Sequence, residues 1–439
     1  MSAREAAFRA LAACRKSGAW SELALDAEIK RGELDRRDAA FATRLCMGVL
    51  QNTYLLDWHI FRFSSIKPNK LQPQVLDILR TASYQIIFMD RVPASAAVDE
   101  AVKLTRKYAN AKAAGFVNAV LRKLAAEQKH LPEFESADAA ETLSVRYSHP
   151  LWFCKRLISS YGYDAAEKIL AANNQIPPTT VQFNTILGNS SAILDEIRTE
   201  FESASPHLKM LDCLEISGTG RIEGSKSYQR GLFYVQDAAA KAAVLAAEPM
   251  PGDTVIDACA APGGKSFAAA ICMKNTGRII SCDIHENKLR KISAGAERLG
   301  IEIIETRAFD ARTFDPALSE CAELVITDVP CSGFGVIRKK PEIRYKNAGE
   351  IAGLPDIQLD ILKNQSRYVK RGGVLLYSTC TVLREENEDV VSRFLAENDA
   401  FVPEEFQTVF GASKNGHLTL LPGIHGTDGF FICKLRRKT

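Results

Sequence analysis

Residues 254–283 read TVIDACAAPGGKSFAAAICMKNTGRIISCD, and this stretch decides the fold of the C-terminal half. Two short apolar runs, TVIDA and RIISCD, flank a segment entered through Pro262, Gly263 and Gly264. Further runs, ELVITD ending at Asp328 and GVLLYS ending at Ser378, alternate with helical patterns over 286–299 and 358–369. Strands alternating with helices imply βαβ units and a parallel sheet. In such sheets ligands bind beyond the carboxyl ends of the strands, so the residues following each run carry the functional expectation.

Outside this region the character changes. Residues 1–130 read as helix nearly throughout, with apolar residues at helical spacing and breaks at Lys67-Pro68-Asn69 and Val92-Pro93. An all-α domain over 1–130 is expected, then a polar linker from His130 to Glu141. Residues 143–225 mix helical and strand patterns (helices over 151–160 and 165–173, a strand over 179–183) and read as a small α+β module. An α/β Rossmann-like domain follows over 226–439. Three pieces suit 439 residues, which exceed one ordinary core.

Composition narrows the class. Hydrophobic residues make up 46% and charged residues 25%, as in soluble globular proteins. No run approaches 18 uncharged apolar residues, and MSAREAAFRA carries charges where a signal peptide needs an apolar core. A cytoplasmic location without membrane contact is expected. The 11 cysteines are odd in number and form no C-x-x-C pair, and the 7 histidines give no H-x₃₋₅-H pair. Free thiols are therefore expected, with no metal. The net charge is +3, but residues 1–130 carry +8 and the remainder −5. The excess centres on Lys103, Arg106, Lys107, Lys112, Arg122 and Lys123, which fits a phosphate-bearing partner or a solvated helix face equally.

The strand ends carry the chemistry. After the first run come Cys259, Ala260, Ala261, Pro262, Gly263, Gly264 and Lys265. Small residues and two glycines at a strand-to-helix turn let a ligand approach the backbone. The turn lacks G-x-x-x-x-G-K-[ST], so it is no phosphate-binding P-loop. Asp283 ends the second run, twenty residues after Gly263, where a carboxylate can hold both ribose hydroxyls of an adenosine cofactor. A further strand pattern lies between RIISCD and ELVITD as the third run, and Asp310, just beyond it, is placed to meet the adenine edge. Asp328-Val329-Pro330-Cys331 ends the fourth run, and Ser378-Thr379-Cys380-Thr381 ends the fifth. Two cysteines thus face one cleft, whereas most cysteines are small buried hydrophobes.

Paired thiols beside an adenosine site point to methyl transfer to carbon 5 of a pyrimidine. That carbon is a poor nucleophile until a thiolate adds to carbon 6 and turns the ring into an enamine. Asp328 would hold ring nitrogen 3 and the exocyclic amine. Arg338, Lys339, Lys340 and Arg344 follow closely and suit RNA phosphates. An unstacked base in a single-stranded loop reaches such a pocket at small cost. These residues leave open which cysteine attacks.

The stretches DACAAPGGKS, DVPCSGFGVIRKKPEIRY and STCTVLREENEDVV resemble motifs I, IV and VI of the Nop2/Sun family of RNA 5-methylcytosine methyltransferases. GLFYVQDAAA and LPGIHGTDGFF match in order and spacing, and the likeness covers roughly 143–439. Residues 1–130 resemble the NusB-like RNA-binding domain. The resemblance implies S-adenosylmethionine lined by Cys259–Lys265, with Asp283, Asp310 and Asp328 as further contacts. It implies Cys380 as the nucleophile and Cys331 as the residue assisting release of the methylated base. It also implies action on 16S rRNA rather than DNA, at cytosine 967, with tRNA or 23S rRNA as the alternative, while a monomer is simply the default expectation. Val329 and Phe334 depart from the residues common in that family. Two other readings are methylation of an exocyclic amine and an RNA-binding assembly factor, and both dispense with Cys380.

Overall fold

Prolines and capping side chains set the boundaries of the N-terminal helices. Asp35 accepts a hydrogen bond from the Asp38 N–H and Asn110 from the Ala113 N–H, so helices start at Arg36 and Ala111. Pro73 and Pro93 stand at the starts of two more. The computed structural model, which describes residues 1–17, 20–217 and 222–439, shows six long helices here. They span Ala3–Ser17, Ser21–Arg31, Arg36–Phe63, Pro73–Phe88, Ala94–Tyr108 and Ala111–Ala126. Their apolar stripes meet in clusters that include Leu45, Leu56, Ile60, Leu79, Val117 and Leu121. The third helix kinks at Asn52.

The molecule divides into two units, Met1–Gln175 with Ile337–Asn347, and Ile176–Val336 with Ala348–Thr439. The helices Ala139–Arg146, Leu151–Tyr161 and Tyr163–Ala172 therefore group with the helical unit. Hydrogen bonds account for this: the Leu55 N–H donates to Ser148 Oγ at 3.1 Å, and His149, Asn173 and Asn174 belong to the same buried polar cluster.

The second unit holds two sheets. In the smaller, four antiparallel strands run in the order 203–206, 213–217, 179–183, 233–235. Helix Ser190–Glu200 covers them through Ile193 and Ile197. The larger sheet has five parallel strands in the order 369–379, 322–328, 254–257, 278–283, 304–308. Side chains alternate across it. Val255, Ile279, Leu324 and Leu376 enter one core, while Ile256, Ile280, Val325 and Leu375 enter the other.

The expected parallel sheet carries an antiparallel edge. Strand Phe430–Arg437 pairs antiparallel with Val369–Thr379, and its outer side takes Phe401–Pro403 and His417–Leu420. Residues 430–433 (FFIC) are apolar and β-branched or aromatic enough to cover a central strand's edge. From strand 254–257 the chain first moves to one side, through 278–283 and 304–308, and then crosses to 322–328 on the other, which makes its carboxyl end the topological switch point. Among the described residues no helix is long and apolar enough to cross a membrane.

Candidate active site

The carboxyl ends of four adjacent strands build the site. The turn after strand 254–257 begins helix Gly264–Cys272, and Gly263 takes φ 111°, a conformation that favours glycine. No side chain caps this helix, so its first N–H groups have no side-chain acceptor and can meet a ligand. Asp257 is fully buried, and burial pushes its carboxyl up to about 6 despite a 2.7 Å hydrogen bond from Ser266 Oγ. Its Oδ1 has no hydrogen-bond partner. Asp283 is buried at the next strand end, where its Oδ1 accepts the His285 N–H at 2.9 Å. Burial raises the Cys259 thiol, and the charges of Asp257, Asp328 and Asp283 push the same way. Asp310, beyond the strand 304–308, makes a bidentate ion pair with Arg312 that lowers its carboxyl.

Strands 322–328 and 369–379 lie in register with Asp328 beside Ser378. Ser378 Oγ donates to Asp328 Oδ1 at 2.9 Å, and the Lys265 ammonium meets Oδ2 at 2.5 Å. Lys265 is itself buried and sits 5.1 Å from the centre of the Phe430 ring. Just beyond, Cys331 and Cys380 bring their sulfurs to 3.1 Å. Both are half-buried, while Ser332, Thr379 and Thr381 around them are fully buried. The hydrogen bond to Cys380 and burial hold the Cys331 thiol well above the usual cysteine range, and the charges of Cys380, Glu386 and Asp328 push the same way. Cys331 therefore keeps its proton at neutral pH and can donate it to a thiolate on Cys380.

The loops carrying the two thiols are tied to each other. Gly335 N–H donates to the Cys380 carbonyl at 2.9 Å, and Gly429 N–H donates to the Gly335 carbonyl at 2.8 Å. A Cβ at Gly335 would lie 2.0 Å from Gly429 O and 2.8 Å from Cys380 O, so only glycine permits this approach.

The four cations expected to meet RNA are placed otherwise. Residues 337–347 belong to the helical unit. Arg344 is fully buried and does not face solvent, which corrects its expected role as a phosphate contact. Its guanidinium donates to the carbonyls of Gln51 (2.7 Å), Ser148 (3.1 Å), Pro341 (3.2 Å), Asn173 (3.3 Å) and Tyr147 (3.4 Å), and to Asn174 Oδ1 (2.9 Å). Burial lowers it to about 10. Arg338 and Lys339 are half-buried, and the exposed Lys340 places its ammonium 5.0 Å from the Trp20 ring centre. The cations Lys103, Arg106, Lys107, Lys112, Arg122 and Lys123 are all exposed, with Lys103 paired to Glu100 and Lys107 to Glu5. Sequence reasoning passed over Asp257, Glu386 and Gln358. Asp257 and Glu386 lie inside the stretches it had quoted, but their burial is a tertiary property.

Among the described residues no group of three or more His, Cys, Asp or Glu is placed to hold a metal ion, and all eleven cysteines are free. The site residues fit an adenosine cofactor: a helix start without a side-chain cap, two glycines, the buried Asp257 Oδ1 without a hydrogen-bond partner, and the Asp283 carboxylate at the end of the neighbouring strand.

A parallel sheet with paired carboxylates and thiols at its switch point defines a nucleotide-cofactor enzyme of the methyltransferase fold class. The 16S rRNA methyltransferase RsmB/F family matches residues 244–436, the NusB family residues 1–126, and the ferredoxin-like domain of RsmF/B-like methyltransferases residues 149–223. The chain is 36% identical to the Bacillus subtilis protein named "Probable ribosomal RNA small subunit methyltransferase B", across 100% of this chain and 99% of that one. It is 31% identical to ribosomal RNA small subunit methyltransferase B of Sodalis glossinidius, across 92% and 91%. The crystal structure of PH0851 superimposes with a TM-score of 0.82 at 25% identity, covering 99% of this chain and 98% of that one. The chain belongs to the 16S rRNA methyltransferase RsmB/F family.

Proposed function

We propose that the protein transfers a methyl group from S-adenosylmethionine to carbon 5 of a cytosine in 16S rRNA, with cytosine 967 as the target. The observation that carries this reading is the pair of thiols 3.1 Å apart beside Asp328, at the ends of adjacent parallel strands. A methylase of an exocyclic amine has no use for such a pair.

The cofactor supplies an electrophilic methyl group on a sulfonium. Asp283 holds its ribose, and the Gly263–Gly264 turn admits its chain to the backbone. Asp328, fixed by Lys265 and Ser378, binds nitrogen 3 and the exocyclic amine of the extruded base. Cys380 attacks as the thiolate, and its electron pair forms the bond to carbon 6. The carbon 5–carbon 6 π electrons then take the methyl group, so carbon 5 carries both a proton and a methyl.

Once Cys380 is a thioether, neither its charge nor its hydrogen bond holds the proton on Cys331. Cys331 loses that proton to solvent and removes the one on carbon 5. The released electron pair rebuilds the double bond and expels Cys380 as thiolate. The exposed cations on helices Ala94–Tyr108 and Ala111–Ala126 serve RNA phosphates. The test is transfer of labelled methyl to a 16S rRNA transcript followed by nucleoside analysis. Label in 5-methylcytosine is expected, and label in N4-methylcytosine would overturn the reading.

A further inference from the structure

Cys331 lies on a turn rather than within a strand, so something must hold its sulfur against Cys380. The short 3₁₀ turn Arg384–Glu386 follows the Cys380 loop, and Glu386 is 1% exposed. Its Oε2 accepts two hydrogen bonds, from the Ser332 N–H at 2.8 Å and from Gln358 Nε2 at 2.9 Å. The same Gln358 Nε2 donates to the Pro330 carbonyl at 3.0 Å. The residues on both sides of Cys331 are therefore held by one carboxylate oxygen and one amide nitrogen. The turn is fixed from the other side as well, where Ser332 Oγ meets Thr381 Oγ1 at 3.0 Å.

Glu386 is placed for this task by its own backbone, whose carbonyl accepts from the buried Tyr377 hydroxyl at 2.6 Å. Its Oε1 is buried without a hydrogen-bond partner. A buried carboxylate with half its acceptors unused is costly, and no cation is paired with it in the hydrogen bonds that it makes. A neutral amide would supply the same accepting oxygen, so what the clamp requires of this residue is the position of that oxygen and not its charge.

We propose that Glu386 is the positioning residue for Cys331, holding the Pro330–Ser332 turn so that the Cys331 sulfur reaches carbon 5 of the bound base during release. This rests on the covalent reading above. Displacement of a reacting group by about 1 Å costs as much as 100-fold in rate, so loss of the clamp slows release while leaving attack by Cys380 intact.

The experiment uses the full chain, a 16S rRNA transcript and S-adenosylmethionine. Turnover is followed together with the covalent protein–RNA band on a denaturing gel, and cofactor binding by calorimetry serves as the folding control. Glu386→Ala is expected to lower kcat by about 10- to 100-fold with KM for RNA unchanged, and to accumulate the covalent band. Glu386→Gln keeps an oxygen where Oε2 sits and is expected to restore release and remove the band. Should Glu386→Ala fail to bind cofactor, Gln358→Met, which frees only Pro330 and one bond to Glu386, reads the same band. Wild-type turnover in the folded variant, or equal loss in Glu386→Ala and Glu386→Gln without the band, would overturn the proposal. Cys331→Ala separates the two ideas: if it too gives no band, the covalent reading has failed rather than the role of Glu386.

Discussion

Replacing Arg344 with Met tests whether the basic stretch after the Cys331 turn is scaffold or RNA contact. Three of its hydrogen bonds are short, to Gln51 O, Ser148 O and Asn174 Oδ1 at 2.7, 3.1 and 2.9 Å. Bonds to a charged donor contribute about 1.5–3 kcal/mol each, so about 4–9 kcal/mol is lost when all three go. Relief of a buried charge offsets roughly half of that, leaving about 2–4 kcal/mol of destabilisation. The three tryptophans, Trp20, Trp58 and Trp152, all lie in the helical unit, so tryptophan fluorescence reports on that unit alone. With a slope of about 2 kcal/mol per molar urea, the midpoint falls by about 1–2 M. Arg344→Lys is expected to fall nearly as far, because an ammonium cannot span the fork of acceptors. An unchanged midpoint, with weaker RNA binding and a salt slope smaller by about one, would refute the reasoning and restore Arg344 as a phosphate contact.

Other substitutions probe the rest of the molecule. Gly335→Ala forces apart the backbones of Gly335, Gly429 and Cys380, and a loss of about 10- to 100-fold in kcat is expected with cofactor affinity retained by calorimetry. Wild-type turnover would show that the approach is dispensable. Glu404 accepts from Arg436 and Lys434, and these partners hold its carboxyl down at about 2. A folded value below the ordinary 4.5 adds stability above that pH and loses it as pH falls towards 2. Glu404→Gln is therefore expected to destabilise the sheet unit at pH 7, with the gap to wild type closing between about 4.5 and about 2. Circular dichroism during urea unfolding at pH 7 and pH 3 would read it, and an equal gap at both would contradict the assignment.

Much of the fold was legible because its signals are local. Alternation of apolar runs with helices located the parallel strands, and Pro68 and Pro93 marked helix breaks that the structure keeps. The antiparallel edge at Phe430–Arg437 was not legible, since an isolated apolar run does not state its partner or direction. Asp328, Cys331 and Cys380 were found because each follows a strand run, and register then brings them together. Arg344 misled for a physical reason. A cation among other cations reads as solvent-facing, and only the folded chain shows backbone acceptors from three distant stretches converging on it. Glu386 and Asp257 escaped for the mirror-image reason, because an acidic residue near a strand end gives no sign in sequence of being buried.

The division of labour between the two thiols is the centre of this account. Full-length Cys331→Ala, Cys380→Ala and the double variant can each be incubated with S-adenosylmethionine and a 16S rRNA transcript, then run on a denaturing gel. Cys331→Ala is expected to give a slow covalent protein–RNA band that disappears in the double variant, and Cys380→Ala is expected to give neither band nor methyl transfer. A covalent band in Cys380→Ala, or full methyl transfer without Cys380, would contradict it.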